Sequence, residues 1–179
     1  MYELLGDRVA GDESCHGWRS AVTARFIGMS GLVIYTDGAC RGNPGPGGWA
    51  WATAPSGEPN GSGGEAHSTN QRMEISAVLD ALRTHANLAD DHGAPLPIEI
   101  VSDSTYVVKC FNDRWHAKWQ RNGWTNSQKK PVANVDLWKP LIELVEAGSV
   151  TFTWVKGHSG DPMNDLVDRL AVAAVPGAG

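Results

Sequence analysis

Four acidic residues and one histidine stand where chemistry could be done. Asp37 follows the apolar run "LVIYT" (32–36) and opens the glycine-rich stretch "DGACRGNPGPGG". Asp103 closes a second apolar run, "PIEIVSD" (97–103). Asp-Gly after a strand is an ordinary turn signal, and an aspartate before "STYVV" is an ordinary helix cap. If the two runs are parallel neighbours, however, both carboxylates reach the rim where ligands bind in open α/β sheets. Two like charges so placed are costly without a cation. Glu74, in "STNQRMEISA", and Asp168, in "MNDLVDRLA", each flank an apolar stripe, and either alone reads as a solvated surface acid. His158, in "KGHSGD", sits in a glycine-flanked loop, where a surface histidine is the usual finding.

The elements that must position these groups are legible from Leu32 onward. The run 32–36 is continuous, apolar and β-branched, as in a strand buried on both faces. "GWAWAT" (48–53) alternates, and with the polar, glycine-rich 58–67 it reads as a hairpin whose second strand is a weak edge. Ile75, Val78, Leu79, Leu82 and Ala86 recur at helical spacing, with Ser68 and Gln71 at capping-box spacing before them. Strand 97–103 leads into a helix over 104–111. A further helix spans 134–147, with Pro140 marking either a kink or a first turn. "SVTFTWV" (149–155) alternates, placing Val150, Phe152 and Trp154 on one face. Asp161 and Pro162 open the last helix, whose stripe is Met163, Leu166, Val167, Leu170, Ala171 and Ala174. A meander followed by β-α-β crossovers predicts an α/β fold with a mixed sheet covered by helices.

Composition narrows the function classes. The chain has 179 residues, enough for one domain with a proper core. Its net charge of −5 argues against coating nucleic acid through bulk positive charge. No apolar run approaches a membrane span, and no secretory leader is evident, so no membrane partner is expected. Cys15, Cys40 and Cys110 form neither a disulfide framework nor a zinc pattern, which points to a reducing cytosol and a cytoplasmic location. Residues 1–30 have weak periodicity and read as a flexible extension.

Five stretches in order, "YTDGACRGNPGPGGWAW", "STNQRMEISAV", "VSDSTYVV", "GWTNSQKKPVANVDLW" and "WVKGHSGDPMNDLVDRLA", resemble the motifs of ribonuclease H type 1. The resemblance covers about residues 31–175, leaving the N-terminal extension 1–30 and a tail at 176–179. It implies the RNase H-like fold, a five-stranded mixed sheet with helices on both faces. The implied activity is hydrolysis of the RNA strand of RNA/DNA hybrids, largely independent of sequence, leaving 5′-phosphate and 3′-hydroxyl ends. By motif, Asp37, Glu74, Asp103 and Asp168 match the family's catalytic carboxylates, which hold two Mg²⁺ ions with Asp37 bridging both. Four hard oxygen donors suit Mg²⁺, or Mn²⁺ as a substitute. His158 matches a histidine that assists proton transfer or product departure.

For the substrate, the resemblance carries over Asn43, Asn70 and Gln71 as contacts to the hybrid, and Thr69 and Asn134 as a pocket for a phosphate of the DNA strand. The segment 114–130 holds Arg114, Lys118, Arg121, Lys129 and Lys130 with no acid among them, and interleaves Trp115, Trp119 and Trp124. It looks like the family's basic protrusion, which grips the hybrid. Gln120 and Asn122 make it less basic than in some relatives, and Thr105 stands where many carry a longer amide. A monomer is expected. Two other readings remain open: a strand-transfer or junction-cutting nuclease on the same superfold, and a non-catalytic hybrid-binding module.

Overall fold

The computed structural model describes residues 31–90 and 92–177; the N-terminal extension expected at 1–30 lies outside them. Five strands form one sheet in the order β3-β2-β1-β4-β5. These are β1 (Leu32–Cys40), β2 (Gly45–Thr53), β3 (Asn60–Ser68), β4 (Ile98–Ser102) and β5 (Val150–Trp154). The β1-β2-β3 meander is antiparallel, whereas β1-β4 and β4-β5 are parallel. Parallel neighbours need crossovers. These are supplied by α1 (Asn70–His85) before β4, and by α2 (Thr105–Asn112), α3 (Trp115–Arg121) and α4 (Val135–Ala147) before β5. α5 (Pro162–Ala173) follows β5.

Helices cover both faces. A side chain at Gly38 would run into Met73 and Glu74 of α1, while one at Gly48 would run into Ala171 of α5. Gly48 pairs with Ala39, the residue after Gly38, so the two helices lie on opposite sides of the sheet. On the α1 side, Ile34, Ile100 and Phe152 align across three strands and meet Ile75, Val78, Leu82, Phe111, Trp138 and Leu141 in one buried cluster. Each such side chain contributes about 1.5–3 kcal/mol by leaving water. Two glycines of β3 have their own cause: the indoles of Trp51 and Trp49 lie over Gly61 and Gly63, leaving no room there for a Cβ.

Several sequence expectations need correction. The cap of α1 is Thr69, whose hydroxyl accepts from the Arg72 N–H at 3.3 Å; Ser68 is the buried last residue of β3. α4 runs through Pro140 rather than starting there, because its first turns bring Trp138 into the core. α3 interrupts a segment read only as a basic protrusion. Trp154 shares the face of buried Phe152 but is half-exposed at the strand end. Among the described residues no helix is long and apolar enough to cross a membrane.

Candidate active site

Asp37 is not a turn residue. β1 continues for three residues beyond it, and Asp37 itself pairs with Ala50 of β2. What stops at this point is the other ladder: the parallel register of β1 and β4 ends at Thr36 opposite Ser102. Asp37 and Asp103 are each the next residue, so the splitting of the two strands leaves the carboxylates side by side. Asp103 is not a helix cap either. Ser104 takes that role, its hydroxyl accepting from the Val107 N–H at 3.2 Å, and the Asp103 carboxylate is left free of capping.

Glu74 and Asp168 complete the group from the two faces of the sheet. Glu74 is on the first turns of α1, held so close to β1 that a Cβ on Gly38 would strike its backbone nitrogen. Asp168 is partly buried on α5, four residues after the buried Asn164, and α5 packs on β1 and β2. The charges meet at Asp37, which is 8% exposed. Burial chiefly, then the charge of Asp103, and to a smaller extent those of Asp168 and Glu74, push its carboxyl up to about 8. The Gly38 N–H, 2.6 Å from Oδ1, opposes that shift without cancelling it.

Glu74 is also raised, mainly by burial and with a contribution from Asp103. Two hydrogen bonds work against this: Ser104 Oγ donates to Oε2 at 2.6 Å, and Asn70 Nδ2 donates to Oε1 at 2.8 Å. Both carboxylate oxygens are therefore engaged. Among the described residues no three histidine, cysteine or acidic side chains are drawn together as tightly as a bound ion would hold them. The donor set still fits a hard divalent cation. It consists of carboxylate oxygens, and neither of the ion pairs among the described residues involves any of the four acids.

His158 is exposed at φ +51° in the loop after β5. That loop abuts the acids, since a Cβ on the neighbouring Gly157 would strike Asp103 Oδ2. Trp154, which sequence reasoning assigned only to packing, donates from Nε1 to the backbone oxygen of Asp103 at 3.0 Å. Ser104 was likewise missed, although an Asp-Ser pair before a helix is a capping signal that frees one of the two for another task.

The residues expected to touch the hybrid fall into two groups. Around α1, Asn43 Oδ1 accepts from the Asn70 N–H at 3.4 Å, so the glycine loop, the helix start and Glu74 form one hydrogen-bonded chain. Gln71 is exposed beside them. Thr69 and Asn134 cap α1 and α4; Asn134 does so at φ +58° with its side chain making no capping bond. In the protrusion, Arg114, Lys118, Arg121, Lys129 and Lys130 are exposed, and none has an acidic partner within 4.0 Å among the described residues. The tryptophans are half-buried there. Trp115 and Trp119 stand 6.4 Å apart, Trp119 meets the core Trp138 at 5.5 Å, and both line a groove of about 530 Å³ with Tyr106, Asn122, Thr125 and Val132. Trp124 does not line it; its ring packs against the core and beneath Lys139, with Nζ 5.4 Å from the centroid.

The sheet order, the helices on both faces and the acids gathered where β1 and β4 part define an RNase H-like α/β protein. A family profile described as RNase H matches residues 29–176. The ribonuclease H of Syntrophomonas wolfei is 47% identical over 153 residues, covering 84% of this chain and 100% of the relative. That of Treponema pallidum is 46% identical, covering 80% of this chain and 89% of the relative. The chain belongs to the RNase H family. Among solved structures, LC9-RNase H1, a type 1 RNase H with the type 2 active-site motif, aligns with a TM-score of 0.69 at 28% identity, over 86% of this chain and 75% of its own. The foamy viral protease-reverse transcriptase in complex with an RNA/DNA hybrid aligns at 0.67 and 26% identity, over 80% of this chain and 20% of that longer one.

Proposed function

We propose that the protein is a ribonuclease H that hydrolyses the RNA strand of RNA/DNA hybrids internally, with little regard to sequence, leaving 5′-phosphate and 3′-hydroxyl ends. The observation that carries this reading is the convergence of Asp37, Glu74, Asp103 and Asp168 on one rim, with the buried Asp37 carboxyl pushed up to about 8. A protein that only bound hybrids would have no use for four acids crowded at one point. Relatives named ribonuclease H over most of the chain, and a neighbour solved with an RNA/DNA hybrid, support the same substrate.

Asp37, Asp103, Asp168 and Glu74 would hold two Mg²⁺ ions. Bound there, the ions supply activation of a water and neutralisation of the leaving 3′ oxygen. The chain's own residues do the rest. Ser104 and Asn70 orient the Glu74 carboxylate at the rim. His158, exposed on a loop that touches Asp103, is positioned to accept or deliver a proton at its ring nitrogen as product leaves. Asn43, Asn70 and Gln71 present amides toward the RNA strand, where reading a 2′-OH separates RNA from DNA. Thr69 and Asn134 take a phosphate of the DNA strand. Arg121, Lys129 and Lys130, beside the Trp115–Trp119 groove, attract the duplex to an otherwise acidic protein.

The test compares matched RNA/DNA hybrid, double-stranded DNA and double-stranded RNA, each with Mg²⁺, against wild type and Asp37→Asn. Cleavage confined to the RNA of the hybrid and absent in the variant is expected. Cleavage of DNA duplex, or activity surviving in the variant, would reject the reading.

A further inference from the structure

The two ion pairs found among the described residues belong to one side chain. Arg72 Nε lies 3.0 Å from Glu65 Oε2, and Nη1 lies 2.8 Å from Asp136 Oδ2. The guanidinium thereby ties three elements: β3 through Glu65, α1 on which it sits, and the first turn of α4 through Asp136. It is also the residue whose N–H is capped by Thr69 Oγ1. At the other end of the tie, Asp136 is two residues beyond Asn134. We propose that Arg72 is a positioning residue: it withholds the Asp136 carboxylate from the phosphate that Thr69 and Asn134 receive. This rests on the reading of Thr69 and Asn134 as a phosphate pocket.

The geometry favours a role in placement over one in stability. The Arg72 side chain is 27% exposed and Asp136 61% exposed, so the pair is partly solvated and adds little to folding. A planar fork with one arm on each acid does hold direction well, and a lysine, with a single ammonium, cannot reproduce both arms. Without Arg72, a carboxylate with most of its surface in water is released beside an incoming phosphate, where like charge repels.

The experiment measures KM and kcat on a labelled RNA/DNA hybrid, together with Tm, for a small set of variants. Arg72→Ala should raise KM about three- to tenfold with kcat within about twofold. Adding Asp136→Asn to Arg72→Ala should bring KM most of the way back, because the freed charge is gone. Asp136→Asn alone should leave KM within about twofold of wild type. Arg72→Lys should fall between wild type and alanine, and it keeps the test usable if the alanine variant does not fold. An unchanged KM in the arginine variants, a fall in kcat at constant KM, or no restoration by Asp136→Asn overturns the proposal. Thr69→Ala separates the two layers: if it raises KM and Arg72→Ala does not, only the role of Arg72 falls; if it leaves KM alone, the phosphate pocket falls and takes this role with it.

Discussion

The acidic rim and the basic protrusion are built on opposite terms. At the rim, like charges are crowded and partly buried, and their positions are fixed by strand register and by two glycines, Gly38 and Gly157, that leave no space for a side chain. In the protrusion, like charges are spread over an exposed surface, while the tryptophans interleaved with them lean on the core. Chemistry at a phosphorus atom needs groups held to within a fraction of an ångström. Attraction of a polyanion needs only charge of the right sign nearby. The two regions should therefore respond very differently to substitution.

Breaking the rim should have the largest effect. Asp37→Asn is expected to lower kcat by at least about 1,000-fold, on the order of 4 kcal/mol of transition-state stabilisation, with hybrid affinity retained. Steady-state kinetics beside a binding isotherm separate the two quantities; a variant within about tenfold of wild-type kcat would mean that Asp37 is not central.

Metal-free stability gives the next largest signal. The folded Asp37 carboxyl titrates at about 8 and the unfolded one near 3.8. Between those values the folded state holds a proton that the unfolded chain has released, so stability is fullest at low pH and falls as pH rises toward 8. Glu74, also raised, adds in the same direction. In the presence of a chelator, Asp37→Asn should consequently gain Tm over wild type as pH increases, the advantage reaching on the order of a few kcal/mol near the pH where Asp37 ionises. Mg²⁺ should narrow that gap, by binding wild type in preference to the variant. A difference in Tm that stays constant from about pH 5 to about pH 8 would contradict the crowding inferred at the rim.

Ser104→Ala removes the hydroxyl that holds Glu74 and caps α2. Loss of a group that orients a ligand typically costs about 10–100-fold in metal affinity or activity. Weaker Mg²⁺ binding, measured by titration calorimetry in the presence of an uncleavable hybrid, is the expected readout, and unaltered affinity would reduce Ser104 to a helix cap. The smallest effect belongs to the protrusion. Lys129→Ala with Lys130→Ala should raise KM several-fold at moderate salt and flatten its salt dependence, by roughly 0.9 in log–log slope for each phosphate the protein ceases to neutralise. A large fall in kcat instead would place these lysines in the chemistry and erase the contrast between the two regions.

Much of this was legible in the chain because its signals are local. The apolar stripe of α1, the Asp161-Pro162 start of α5 and the two strands preceding Asp37 and Asp103 follow from side-chain period and capping chemistry. The misreadings were local ambiguities that tertiary packing resolved. Ser68 and Thr69 are equally good caps by type, and Ser68 loses because its place in β3 pairs it with Gly45. Asp103 and Ser104 compete for one cap, and Ser104 wins. Trp115, Trp119 and Trp124 look alike in sequence, yet the first two line a groove and the third does not.

By itself, the sequence determined the order of elements apart from α3, the supply of hard oxygen donors and the concentration of cations in one segment, since each depends on residue type and near-neighbour spacing. Only the tertiary structure decided that Asp37 lies within a strand, that Glu74 has both oxygens engaged, and that Arg72 bridges β3 to α4. Those outcomes depend on pairing between residues far apart in the chain, and the register of such pairing is set by the packing of the whole core.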